Sequence, residues 1–258
     1  MKTIFFYFLT PLLLVSASFP RDVYVDERTS TEVHFSSTEN VFPRNWYGQK
    51  IKAEARPLEK SERQRVILIL NHAFEKYPGH VLRTNLDRIY VFKSMQFYGV
   101  PYGGTNFRNT VYLTDDESRP SFTDIFIEGV FHHEFSSILK RSYPRYFDEK
   151  KWNAINSSQV KYGNGGVDAI LNGEASLTLD PGLFEQGFLT KYSQSALEED
   201  VNVFAQNLFT GGMEFWSIVD QYSRIRQKAN LLIGFYHQID STFTEDYFRG
   251  LGFRFASR

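Results

Sequence analysis

From Pro120 to Arg141 the chain carries its strongest helical signal, and a carboxylate interrupts the apolar face of that helix. Ile127, Val130, Phe131, Phe135, Ile138 and Leu139 recur at spacings that place them on one stripe of a helix. Ser121, with Asp124 three residues on, resembles a capping box at its start. Glu134 falls inside the stripe, three residues after Phe131 and four before Ile138. Burying an ionised carboxylate alone is costly, so Glu134 needs a partner, a metal-bound water or a shifted pKa. Any fold adopted by this chain has to supply one of these.

The neighbours of Glu134 narrow the chemistry. The run Phe131-His132-His133-Glu134-Phe135-Ser136-Ser137 keeps the first half of the HExxH arrangement. In that arrangement two histidines four apart share a helix face and reach one zinc ion, and the Glu polarises the zinc-bound water. Ser137 stands at the second histidine position, and a neutral hydroxyl is a poor zinc ligand beside imidazole. His132 does not repair the pair, because adjacent residues point about 100° apart around a helix. The bland alternative is that His132 and His133 are satisfied by hydrogen bonds near the core surface. His34, His72, His80 and His237 are scattered, and spacing does not decide whether folding brings one of them to the site.

The 258-residue chain opens Met-Lys-Thr, followed by an apolar run to Val15 and small residues at Ser16-Ala17. That is the pattern of a signal peptide over residues 1–17, too short to span a membrane, and no later stretch comes closer to a span. The expectation is an exported protein that is periplasmic, outer-membrane-associated or extracellular. The sequence contains no cysteine, so neither disulfides nor a lipidated cysteine are expected. The formal net charge of −1 gives no electrostatic case for nucleic acid. With 25 Phe and 15 Tyr, the core should be rich in aromatic side chains. Asn156-Ser157-Ser158 matches a glycosylation acceptor, a triplet frequent by chance.

Three regions follow from the pattern: the signal peptide at 1–17, an extended polar segment at 18–56 and one domain at 57–258. The N-terminal segment has room for an edge strand near Val33–Phe35. A helix is expected from Leu58 to Tyr77, closed by Pro78-Gly79, then strands at Arg88–Phe92 and Thr110–Leu113 separated by the turn-rich Gly99–Gly104. After Pro144 the chain is rich in Gly, Asn and Ser to about Thr190. Its Lys161-Tyr162-Gly163-Asn164-Gly165-Gly166 run lacks the ending of a phosphate-binding loop and reads as turns. Helical character returns at 196–209 and 213–239, with a short amphipathic tail over 244–251.

A catalytic zinc site takes three protein ligands and one open position. Downstream carboxylates stand at Glu198-Glu199-Asp200, where a helix begins, although carboxylates also favour a helix N-terminus for its dipole. His133-Glu134-Phe135, then Gly187-Phe188 with Tyr192, then Glu199-Asp200, then Arg226-Gln227-Lys228 with Tyr236 occur in order. In this the chain resembles the zinc-binding metallopeptidases of Bacteroidetes-type envelopes, from Leu58 to the C-terminus.

The resemblance implies an α+β fold: a single zincin-like domain with an active-site helix and a helical C-terminal part. It implies zinc as cofactor, His133 and Glu199 as metal ligands, and Glu134 as general base. A peptide or protein substrate would be attacked by the metal-bound water. Tyr192 would donate to a developing oxyanion or simply pack in the core. Two departures stand out: Ser137 at the second histidine position, and no cysteine for the lipid anchor that many members carry. The competing expectations are a catalytically inactive zincin-fold protein that binds a peptide, glycan or envelope partner, and a structural subunit of an import or secretion assembly.

Overall fold

The computed structural model describes residues 22–35 and 40–254. The expected signal peptide lies outside them. The chain enters through two short strands, β1 (Val23–Val25) and β2 (Glu32–His34), and returns as β3 (Glu54–Pro57). Helices α1 (Arg63–Glu75) and α2 (Gly79–Asn85) lead into β4 (Arg88–Phe97), β5 (Val100–Tyr102), β6 (Gly104–Phe107) and β7 (Thr110–Thr114). Everything after is helical: α3 (Asp124–Ser142), α4 (Glu149–Ile155), α5 (Gly166–Leu171), α6 (Pro181–Phe184), α7 (Leu197–Thr210), α8 (Gly212–Gln221), α9 (Ser223–Ile239) and α10 (Glu245–Arg254). This is the expected α+β class, with a mixed sheet and a helical C-terminal part.

The sheet runs β1-β2-β4-β7-β6, and β4 organises it. The first half of β4 pairs in parallel with β2 and β7, while the second half pairs antiparallel with β3 and β5. A strand with a packed layer on each side of the sheet buries both faces. Ile89, Val91, Val111 and Leu113 accordingly join the main core under the helices, while Tyr90, Phe92 and Tyr112 join an aromatic cluster on the other face with Phe42 and Trp46. The register of β3 on β4 shifts between Arg56 and Pro57, opposite Lys93. One extra residue there flips the alternation, so that Met95 and Phe97 stay in the aromatic cluster.

Several boundaries differ from the sequence reading, and the helical stretch expected over 213–239 is two helices, α8 and α9, divided at the extended Tyr222. The turn-rich passage after Phe97 is a hairpin: Tyr98 and Gly99 have φ of 56° and 77°, and β5 and β6 follow at once. The first helix begins at Arg63, because β3 holds the chain extended to Pro57. The cap of α3 is Thr123, whose hydroxyl accepts from the Phe126 amide at 3.2 Å, so Ser121 lies outside the helix. The strand expected near Val33 is β2, and it lies between β1 and β4.

Helix α3 packs between β6, β7 and α1 on one side and α7 on the other, its broadest contact. Arg65 of α1 fixes its start, donating to Asp115 at 2.5 Å, to Asp124 at 2.8 Å and to the Phe122 carbonyl at 2.8 Å. A buried ion pair, Lys76 to Glu128 at 2.5 Å, grips its middle. Among the described residues no helix is long and apolar enough to cross a membrane.

Candidate functional site

Thirteen consecutive residues of α3, Ile127 to Leu139, are buried, so both of its faces meet protein. On the face toward α1, Glu128 and His132 are one turn apart. Glu128 binds Lys76 and His72, and His132 shares a hydrogen bond of 2.8 Å with the Tyr77 hydroxyl. Burial pushes the His132 imidazole down to about 4, against the pull of Glu128. His132 is therefore neutral and structural.

The opposite face carries His133, Glu134 and Ser137 into a cleft of about 1080 Å³ between β6, α3, α7 and the stretch after Gly166. His133 Nε2 lies 3.1 Å from Glu199 Oε2, so the two expected ligands meet across the α3–α7 contact. Burial works to lower the pKa of His133, but the Glu199 hydrogen bond and the charges of Glu134, Glu199 and Glu198 outweigh it and raise it. The other ring nitrogen, Nδ1, is buried without a partner. Tyr192 stacks on the His133 ring with centroids 6.1 Å apart. Burial and the nearby Glu199 and Glu134 charges raise its hydroxyl far above the usual phenol range, so it stays protonated.

Glu134 Oε2 accepts from the Asn106 side chain at 2.6 Å. Burial pushes its carboxyl up to about 7; the His133 charge and the Asn106 bond oppose the shift, and the charges of Glu199 and Glu198 add to it. Glu134 thus meets its sequence requirement through a hydrogen bond and a shifted pKa. Two glycines permit this packing. A Cβ on Gly104 would lie 2.4 Å from Val130 and 2.9 Å from Glu134 Oε1, and one on Gly166 would lie 2.5 Å from both Glu199 Oε1 and the Tyr192 hydroxyl. Gly166, expected to serve a turn, serves this close approach.

Ser137 faces the same cleft. Its hydroxyl donates to Glu198 Oε1 at 2.6 Å and accepts from Asn202 Nδ2 at 2.8 Å. Arg141 closes the row, donating to Asn106 at 2.6 Å and lying 3.7 Å from Glu198. Asn106, Asn202 and Arg141 were missed by sequence reasoning. Helical spacing offered a signal for Asn202, which is one turn beyond Glu199 on α7. Asn106 sits in a strand too short to announce itself.

No family model matches this chain, and no curated protein matches it. Among solved structures it is similar to one described as a "putative zinc-binding metallo-peptidase" from Bacteroides caccae ATCC 43185, at TM-score 0.50 and 16% sequence identity over 78% of each chain. The likeness is one of fold. It is the fold that the His-Glu-Phe, Gly-Phe and Glu-Asp runs suggested.

The donor set does not fit a zinc ion in the way that fold suggests. His133 and Glu199 supply two donors bonded to each other, and the next position on the helix face is a hydroxyl already engaged by Glu198 and Asn202. Among the described residues, no group of three or more His, Asp or Glu side chains is arranged to hold a metal.

Proposed function

We propose that this chain is an exported envelope protein that uses a zincin-type cleft to bind peptide segments without zinc-dependent hydrolysis. Position 137 carries the reading. A catalytic zinc site needs three protein ligands, and here the hydroxyl of Ser137 is built into a hydrogen-bonded link between α3 and α7. The cleft itself is intact and roomy. Among the described residues strand β6 pairs with β7 alone, so its outer edge runs along the cleft at Gly104–Asn106 with backbone groups able to pair with an extended peptide.

A second reading keeps hydrolysis, with zinc on His133 and Glu199 and Glu134 as the base. It is favoured by Glu134, whose carboxyl is held at about 7, near the value that suits proton transfer at neutral pH. Zinc titration of the purified protein separates the two. The wild type is expected to hold zinc weakly. Ser137→His creates a histidine pair four apart and tightens binding, and adding His133→Ala removes the gain. Tight stoichiometric binding by the wild type would sink the first reading and support the second.

A further inference from the structure

We propose that the centre of the cleft is a subsite for an organic cation, the ammonium or guanidinium group of a bound peptide, seated among Glu134, Glu198, Glu199 and Asn202. This deepens the peptide-binding reading and rests on it.

Charge is the first observation. The cleft is lined by four carboxylates, Glu134, Glu198, Glu199 and Glu214, against one guanidinium, Arg141, and one imidazole, His133. Arg141 sits at the end of the row beside Glu198 and His133 pairs with Glu199, while Glu134 has the neutral Asn106 amide as its hydrogen-bond partner.

The second observation is independent of charge. Asn202 is 3% exposed, and its Oδ1 has no donor. Its amide orientation follows from Ser137, whose hydroxyl hydrogen is committed to Glu198 and which must therefore accept from Asn202 Nδ2. The orphan is thus an acceptor, and Ser137 has no hydrogen left for it. One turn on, Gln206 lines the same cleft, and its amide oxygen is also buried without a donor. The unmet demands of both amides are for hydrogen-bond donors.

A ligand that answers both observations carries positive charge and several N–H groups. An ammonium offers three donors and a guanidinium five, and bonds from such groups to carboxylates are about twice as strong as neutral ones. Apolar side chains line the same cleft, Phe126 and Val130 from α3 with Ile170, Leu177 and Leu179 from the stretch after Gly166, and can cover a methylene stem. This suits a lysine or arginine side chain, or the N-terminal ammonium of a peptide followed by an apolar residue.

The test measures peptide binding to the full-length, chelator-treated protein by calorimetry. One apolar peptide framework is compared with an internal lysine, with norleucine in its place, and with the N-terminus free or acetylated. The lysine or free-amine peptide should bind about tenfold tighter than its neutral counterpart. Glu198→Gln should erase most of that preference, read as the ratio of lysine-peptide to norleucine-peptide affinity on the same variant. Loss on acetylation alone assigns the N-terminal ammonium, and loss on norleucine substitution alone assigns the side chain. Equal binding of charged and neutral peptides would overturn the cation subsite and leave the peptide cleft standing. Absence of binding by every peptide would overturn both.

Discussion

Glu134 ties the stability of this protein to pH. Its carboxyl titrates near 4.5 when exposed and near 7 in the fold, so the folded state keeps a proton that the unfolded chain has released over that interval. That contribution is complete below about 4.5 and is lost as pH rises through 7, on the order of 3 kcal/mol. His133, also raised, acts with the same sign: its contribution is full below the unfolded value of 6.5 and fades as pH climbs through the folded one. Denaturant unfolding from pH 5 to pH 8 should show falling stability in the wild type and a flatter profile in Glu134→Gln. An unchanged slope in the variant would assign the effect elsewhere. Gly166→Ala makes a second check, since the added methyl strikes Glu199 and Tyr192. It should cost about 1–3 kcal/mol and shift the His133 titration seen by NMR. The polar intrusion at Glu134 was legible because it broke a pattern. The Ser137–Glu198–Asn202 link was not, since no local pattern marks contacts 61 and 65 residues apart.

Among the elements, α7 is held to α9 by a second buried ion pair. Asp200 Oδ2 accepts from Lys228 at 2.5 Å, from Tyr162 at 2.6 Å and from Trp152 at 2.8 Å, and both charged side chains are fully buried. Lys228 also donates to the Gly187 carbonyl at 2.7 Å and sits 4.3 Å from the Phe188 ring centroid. Asp200→Ala should destabilise the fold by about 3–5 kcal/mol, because it strands a buried ammonium. Asp200→Ala with Lys228→Met should recover part of the loss. A denaturation series of the two single variants and the double reads this coupling, and strict additivity would show that the pair acts independently. The sequence runs Gly187-Phe188, Glu199-Asp200 and Lys228 are thus parts of one lock, visible as separate motifs but joined only by folding. Short elements hid for a different reason: β5 and β6 are 3 and 4 residues long, and a run that brief shows no periodicity. The long helix α3 declared itself through its apolar stripe, whereas the extended backbone of Tyr222 that divides α8 from α9 left no mark in the helical stretch expected over 213–239.

At the scale of the whole molecule, the cleft lies where the β6 edge of the sheet meets the helical part, so an occupant bridges the two. A ligand present at a hundred times its Kd should raise folding stability by about 2.7 kcal/mol, read as a shift in Tm with the lysine peptide, and its norleucine partner, bound tenfold more weakly, should give about half of that at equal concentration. The fold class followed from the order of elements. What the cleft holds did not, because it depends on which side chains α3 and α7 present to each other. Helix α3 keeps its two tasks on separate faces: Glu128 and His132 anchor it toward α1, while His133, Glu134 and Ser137 look into the cleft. Such a division makes the helix a socket. Substitutions on the cleft face can exchange one ligand chemistry for another while the anchoring face keeps the frame standing.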